Sequence, residues 1–309
     1  MALVPIELPS GIYRNGTDLQ SANRWRDSSL VRWVNNTMRP IGGWQQKSLT
    51  AANAKVRGML AWTDNAQDRW VASGTYNKLY VYNVGGEQFD ITPVSFTAGQ
   101  ESTESQFGWG SGTFGNEFYG TPRAEDSTPA QATTWSLFSW GEYLVGCTSD
   151  DGKIYEWQLV TGTPAAVVAN APTNNRAIMV TEERFLFALG ASGNPRLVKW
   201  SDREDNTLWT AAATNEAGDI EIQTDGKIMC GIAARGESII LTSNDVHVAR
   251  YQGPPYVYGF ERVGTSCGVI SQKAAVNTDV GVIWMGKKSF FYYSGGQSSK
   301  LPCDVNDYI

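Results

Sequence analysis

The chain has 309 residues, of which 41% are hydrophobic, 12% aromatic and 18% charged, and its formal net charge is −6. This much apolar material supports a folded core, so the composition excludes a disordered or collagen-like chain. No apolar run approaches the roughly 18 residues that span a bilayer, and the first nine residues lack the pattern of a signal peptide. We therefore expect no membrane insertion.

The residue counts favour strands over helices. Twelve Trp, 13 Tyr and 11 Phe accompany 32 Gly, against a single His. Aromatic side chains are enriched in strands and glycine in tight turns, so we predict an all-β protein. The single histidine, His247, lies in a predicted strand and is interpreted as a packed or surface residue rather than a catalytic one.

Residues 1–54 do not follow the pattern of the rest and are predicted to form an N-terminal arm and docking segment. Arginine and tryptophan alternate there, and both are enriched at protein interfaces. The candidate interface residues in this arm are Arg24, Trp25, Arg26, Arg32, Trp33, Arg39 and Trp44. The alternative is a strand that lies over the propeller, with its arginines salt-bridged to the acidic body of the chain. Nucleic-acid binding is disfavoured because no lysine precedes Lys47.

From residue 55 onward, strand-like segments recur in groups of three. The third segments begin 75, 43, 49 and 44 residues apart, at Leu79, Ile154, Leu197, Val246 and Phe290. Units of this length are typical of a β-propeller, because one small sheet cannot cover its own apolar faces and packs on the next. We predict a propeller over residues 55–309 with about five visible blades. A sandwich or barrel with evenly spaced hairpins is the alternative.

The long first interval contains an insertion at about residues 97–131. Glycine alternates there with aromatic residues, and Trp109 and Phe114 are candidate interface residues. Such a segment suits contact with a partner surface or a sugar ring. A long hairpin packed on its own propeller is the alternative.

No catalytic or metal-binding motif is recognisable. The sequence has no nucleophile elbow, no phosphate-binding Gly-Lys-Ser/Thr loop and no paired cysteines at zinc-ligand spacing. We therefore expect no catalytic, metal or cofactor site, and no enzyme.

Four stretches together resemble one protein family. They are residues 24–44 (with RWRD, LVR and RPIGGW), 109–123 (WGSGTFG and TPR), 135–157 (WSLFSWGE and IYEW) and 231–309 (SIILTS and VIWM). They resemble the tail nozzle or tail hub proteins, also called packaged-DNA stabilisation proteins, of short-tailed bacteriophages. Members of that family are built around a β-propeller and are typically longer, which implies that the last blades lie beyond residue 309.

The resemblance implies a structural virion protein of the tail, assembled in the host cytoplasm. About six like copies would form a ring below the portal and the head–tail adaptor protein, with tail fibres as a further partner. The ring would continue the channel that retains packaged DNA and lets it pass on ejection. No cofactor is implied.

The acidic residues suit such a channel, because a wall that repels phosphate does not retain DNA. The candidate lining residues are Asp202, Glu204, Asp205, Asp219, Glu221 and Asp225. The alternative function is a carbohydrate-binding propeller that uses surface tryptophans. A glycan-acting hydrolase with paired carboxylates is a weaker alternative.

Overall fold

The computed structural model describes residues 8–103 and 131–308. Within these ranges the chain is built from β-strands, with a single short 3-10 turn at Ala191–Gly193. The prediction of an all-β protein is therefore confirmed. In the same ranges, no helix is long and apolar enough to cross a membrane.

The arm contains one hairpin, formed by β1 (Val31–Val34) and β2 (Thr37–Pro40). Asn35 and Asn36 make the two-residue turn, with φ angles of 49° and 59°. Asparagine tolerates this left-handed region better than other non-glycine residues, and two such residues in a row give the turn that matches strand twist. The hairpin pairs with no further strand of the described chain.

Five sheets of four antiparallel strands follow the arm, each forming one blade with its strands side by side in chain order. Blade 1 contains β3 (Gly58–Thr63), β4 (Arg69–Gly74), β5 (Leu79–Tyr82) and β6 (Gln88–Asp90). Blade 2 contains β7 (Trp135–Trp140), β8 (Tyr143–Thr148), β9 (Ile154–Trp157) and β10 (Ala166–Val167). Blade 3 contains β11 (Ala177–Val180), β12 (Leu186–Leu189), β13 (Leu197–Trp200) and β14 (Gly218–Glu221). Blade 4 contains β15 (Ile228–Ala234), β16 (Glu237–Thr242), β17 (Val246–Gly253) and β18 (Val257–Gly264). Blade 5 contains β19 (Ala275–Thr278), β20 (Gly281–Met285), β21 (Phe290–Tyr293) and β22 (Ser299–Leu301).

The predicted β-propeller of five blades is confirmed, and its third strands begin at the predicted residues. The first strands of successive blades, β3, β7, β11, β15 and β19, are neighbours and form the inner wall around the propeller axis. The fourth strand of each blade is the outermost one, and the groups of three predicted from the sequence did not include it.

Buried side chains fill the spaces between successive blades in four separate clusters, one at each junction from blade 1 to blade 5. Large aromatic side chains contribute most of the buried area in such wedges. In junction order they include Trp135 with Trp157, Trp140 with Trp209, Phe187 with Tyr258, and Trp284 with Tyr293. None of these four clusters joins blade 5 to blade 1 in the described residues.

Candidate functional site

The first half of the arm docks on the last residues of the described chain. The amide of Arg14 donates to the carbonyl of Asp304 at 2.8 Å, and the Arg24 guanidinium is 3.0 Å from the Asp304 carboxylate. Asn15 Nδ2 donates to the Cys303 carbonyl at 2.8 Å. The guanidinium of Arg14 also lies 3.9 Å from the ring centre of Tyr308. Here the arm lies on the segment that follows the last strand of blade 5.

Two of the predicted interface arginines form ion pairs within the chain. Arg24 pairs with Asp304, and Arg26 pairs with Asp18. Trp25 is half-buried and bridges Ile12 through the backbone.

The other two predicted interface arginines, Arg32 and Arg39, form a cross-strand pair on the hairpin. Arg32 and Arg39 are directly opposite each other in the β1–β2 register, and both are exposed. Neither makes an ion pair with a described carboxylate. Like charges placed directly across a strand pair destabilise it, so the hairpin presents an uncompensated positive pair.

The neighbouring cross-strand pair on the hairpin is apolar. Trp33 is opposite Met38, and both line a groove of 790 Å³ together with Trp25 and Leu8. Trp44, just beyond the hairpin, is 94% exposed. The arm therefore carries cationic and apolar side chains in the same short segment. The other two candidate interface residues, Trp109 and Phe114, lie outside the described residues.

Five of the six candidate channel residues belong to the outer part of blade 3, and the sixth, Asp225, lies in the link that leads to the inner strand of blade 4. Asp202, Glu204 and Asp205 lie in the loop between β13 and β14. Asp219 and Glu221 lie on β14 itself. Because the strands are antiparallel, this loop and this link lie at opposite ends of the blade. The four residues of β14 separate the loop from the link by roughly 13 Å.

Some of these six acidic residues have partners within the chain. Asp202 Oδ1 accepts the amides of Arg203 and Glu216 at 2.9 and 2.8 Å, so it shapes the loop. Glu221 is 2.8 Å from Arg196. Asp219 lies beside Lys199 in the strand register without an ion pair within 4 Å. Acidic residues thus lie on β14 and beyond each of its ends, and Asp202 and Glu221 among them already have partners within the chain.

A repeated basic position was missed in the sequence. Four of the five inner strands are preceded, within two residues, by a cation: Arg57, Arg176, Lys227 and Lys273. The sequence contains the signal for this position, because a basic residue occurs just before the first strand in four of the five repeats.

The single histidine is packed inside blade 4. His247 is 4% exposed, and its Nε2 is 3.5 Å from Oδ1 of Asp245 without hydrogen-bond geometry. The Asp245 carboxylate is itself buried and accepts the hydroxyl of Thr224 at 2.6 Å and that of Thr242. Burial lowers the pKa of His247, and the charge of Asp245 opposes part of that effect.

This environment predicts a specific pH dependence of stability. The unfolded chain binds a proton at His247 near pH 6.5, whereas the folded chain binds it only at lower pH, so the free energy of unfolding falls as the pH drops through about 6.5. Urea unfolding between pH 8 and 5.5 measures this slope. His247→Gln should flatten it, and an unchanged slope in that variant would assign the effect to another group.

The buried thiols are unsuited to nucleophilic chemistry. Burial raises the pKa of Cys230 to about 12, and it also raises the pKa of Cys147. Both thiols are therefore protonated at neutral pH, whereas the thiolate is the reactive form. The expectation that the chain is not an enzyme stays a prediction.

No family model and no curated protein matches the chain. The computationally designed Ika8 protein matches with 14% identity and a TM-score of 0.43, over 80% of this chain and 61% of that protein. The virginiamycin B lyase from Staphylococcus aureus matches with 8% identity and a TM-score of 0.45, over 80% and 71%. BBS1N, solved in complex with ARL6DN, matches with 14% identity and a TM-score of 0.46, over 81% and 70%. The chain thus spans less than two thirds of the designed protein, and identities this low transfer no activity or partner to it.

Proposed function

We propose that this protein is a structural subunit of a virion tail, in which like copies assemble into a nozzle or hub ring. The observation that carries the proposal is the hairpin of the arm, which presents Arg32 and Arg39 side by side without an anionic partner among the described residues. The sequence resemblance to tail nozzle proteins supplies the biological setting. Cationic pairs of this kind, next to exposed tryptophan, are suited to a protein interface.

The surface that complements the hairpin is the outer edge of blade 3. Strand β14 is paired on one side only and carries Asp219 and Glu221, both exposed. An isolated two-stranded hairpin is marginally stable in water, and the open edge of a sheet is a common docking place for another strand. In the proposed ring, the hairpin of one copy docks on β14 of the next.

This contact joins two different surfaces, so it is heterologous. A heterologous contact builds a ring when its rotation closes. Six copies is the number that the resemblance implies. The ring sits below the head–tail adaptor protein, with tail fibres as a further neighbour.

The remaining acidic residues fit a wall of the DNA channel. Asp202, Glu204, Asp205 and Asp225 are not needed for the contact with the hairpin, and an acidic lining repels phosphate during ejection. In this arrangement, DNA is a passing occupant rather than a bound ligand.

Light scattering of the purified chain, combined with electron microscopy, tests the assembly. We expect closed rings of several copies at low salt, which dissociate as sodium chloride approaches 1 M because the screening length falls to about 3 Å. A chain that stays single at every concentration and salt level would contradict the proposal.

The carbohydrate-binding alternative depends mainly on Trp109, which lies outside the described residues, and it stays a prediction. Glycan-array binding that Trp109→Ala abolishes would favour it over the ring.

A further inference from the structure

The repeated cations lie at one mouth of the propeller axis. The inner strands β3, β7, β11, β15 and β19 surround the axis, and they begin at the same face because every blade is built in the same order. The residue before β3 is Arg57, the one before β11 is Arg176, and the one before β15 is Lys227. Lys273 lies two residues before β19, and the corresponding residue before β7 is the uncharged Thr134.

Side-chain contacts hold the starts of several blades together at this mouth. Gln272, next to Lys273, donates from Nε2 to the carbonyl of Arg176 at 2.9 Å. The hydroxyl of Thr134 donates to Oε1 of the same glutamine. Blades 2, 3 and 5 therefore meet here, and Arg176 of blade 3 and Lys273 of blade 5 are brought into one region.

Within residues 8–103 and 131–308, no carboxylate forms an ion pair with the four positive charges of this region. Arg57 Nη2 donates to the Glu101 carbonyl at 3.0 Å, and Arg176 Nη2 to the Gln131 side chain at 3.4 Å, both neutral acceptors. The Nε atoms of both arginines are buried without a hydrogen-bond partner. Buried cationic donors in this state are unfavourable unless an acceptor, a water or an anion, completes them.

The cations also affect one another. Burial lowers the pKa of Lys227, and the positive charge of Arg176 lowers it further. Burial likewise lowers the pKa of Lys273, and that of Arg176, which the charge of Asp150 partly restores. Arg176 and Lys227 are therefore close enough for their positive charges to repel each other in a partly dehydrated opening, where an anion gains most from binding.

We propose that the axial mouth formed by Arg57, Arg176, Lys227 and Lys273 is a binding site for a small polyvalent oxyanion of the phosphate class. Guanidinium groups bind such oxyanions through paired hydrogen bonds, and ammonium groups add point charges. The small size follows from the charge of the molecule as a whole, because a net −6 body repels a long polyanion. The site is complete in one copy and does not rest on the proposed ring.

Isothermal titration calorimetry of the full chain with inorganic tripolyphosphate, at constant ionic strength, tests the proposal. The double variant Lys227→Gln, Lys273→Gln should lose about tenfold in affinity for each lysine removed. Both lysines reach the surface at the mouth, although neighbouring atoms partly desolvate them, so the variant should keep the wild-type circular dichroism spectrum.

The matched control is Lys287→Gln, Lys288→Gln, which removes two exposed lysines from the turn between β20 and β21. This control should bind tripolyphosphate as the wild type does. Absence of binding by the wild type would overturn the proposal, and so would an equal loss of affinity in both double variants.

Discussion

Replacing Trp135 with alanine is expected to lower the free energy of unfolding by about 3–5 kcal/mol. The side chain is fully buried in the cluster between blades 1 and 2. Its indole nitrogen donates to the Thr75 carbonyl at 2.7 Å, and its ring stacks on Phe96 with centroids 5.2 Å apart. Alanine would leave a cavity between two rigid sheets and an unpaired carbonyl in blade 1. Urea unfolding of the purified variant measures the loss.

The environment of Trp135 also explains two glycines of blade 1. A Cβ at Gly58 would lie 2.5 Å from Cβ of Trp135, and one at Gly74 would lie 2.2 Å from its Cδ1. Only glycine at these two positions leaves room for the indole against both strands.

Trp44→Ala is the matched control for this substitution. Trp44 is 94% exposed in the arm, so its removal should change the free energy of unfolding by no more than about 0.5 kcal/mol. Similar losses in the two variants would contradict the packing of blades 1 and 2 described above.

Reversing both hairpin charges, by Arg32→Glu with Arg39→Glu, is expected to prevent assembly of the ring while leaving the propeller folded. The two side chains are exposed and make no ion pair within the described chain, so the isolated subunit loses no ion pair. In the ring they would face Asp219 and Glu221, and four carboxylates would then repel one another. Light scattering measures the size of the particle.

Reversing the charges on β14 as well gives a sharper test of the contact between the hairpin and β14. Asp219→Arg with Glu221→Arg should also prevent assembly, and combining all four substitutions should restore it. Loss of the exposed Arg196–Glu221 pair should cost at most about 1 kcal/mol in stability. Arg69→Glu with Arg235→Glu, two exposed arginines elsewhere, is the control and should assemble normally. Failure of the fourfold variant to assemble would argue against this particular contact.

The propeller was predictable because its signals are local. Each third strand is an apolar segment next to a turn, and its start can be located from a few neighbouring residues, as at Ile154 or Val246. The outermost strands lack such a signal. Strand β10 has two residues and β22 has three, and an edge strand needs few apolar side chains because one of its sides faces water.

The role of each arm arginine was not predictable, because it depends on contacts between distant parts of the chain. Arg24 meets Asp304, which is 280 positions away. Arg32 and Arg39 become a pair only through the register of the hairpin. All three look equivalent in the sequence.

The positions of the acidic residues of blade 3 in the fold were not predictable from the sequence either. Asp202 and Asp225 are close in sequence and similar in charge, yet the antiparallel course of blade 3 places them at opposite ends of the blade. Net charge over a segment does not say how the fold distributes it. The axial cations show the reverse, because residues such as Arg57 and Lys273 are far apart in sequence and share one mouth.

The central claim is that the protein is a ring-forming component of a virion tail. Gold-labelled antibodies against the chain, applied to particles from the source lysate and viewed by electron microscopy, test it most directly. The account predicts gold at the tail tip, beneath the capsid. Unlabelled particles, with the protein free in the surrounding solution, would contradict it.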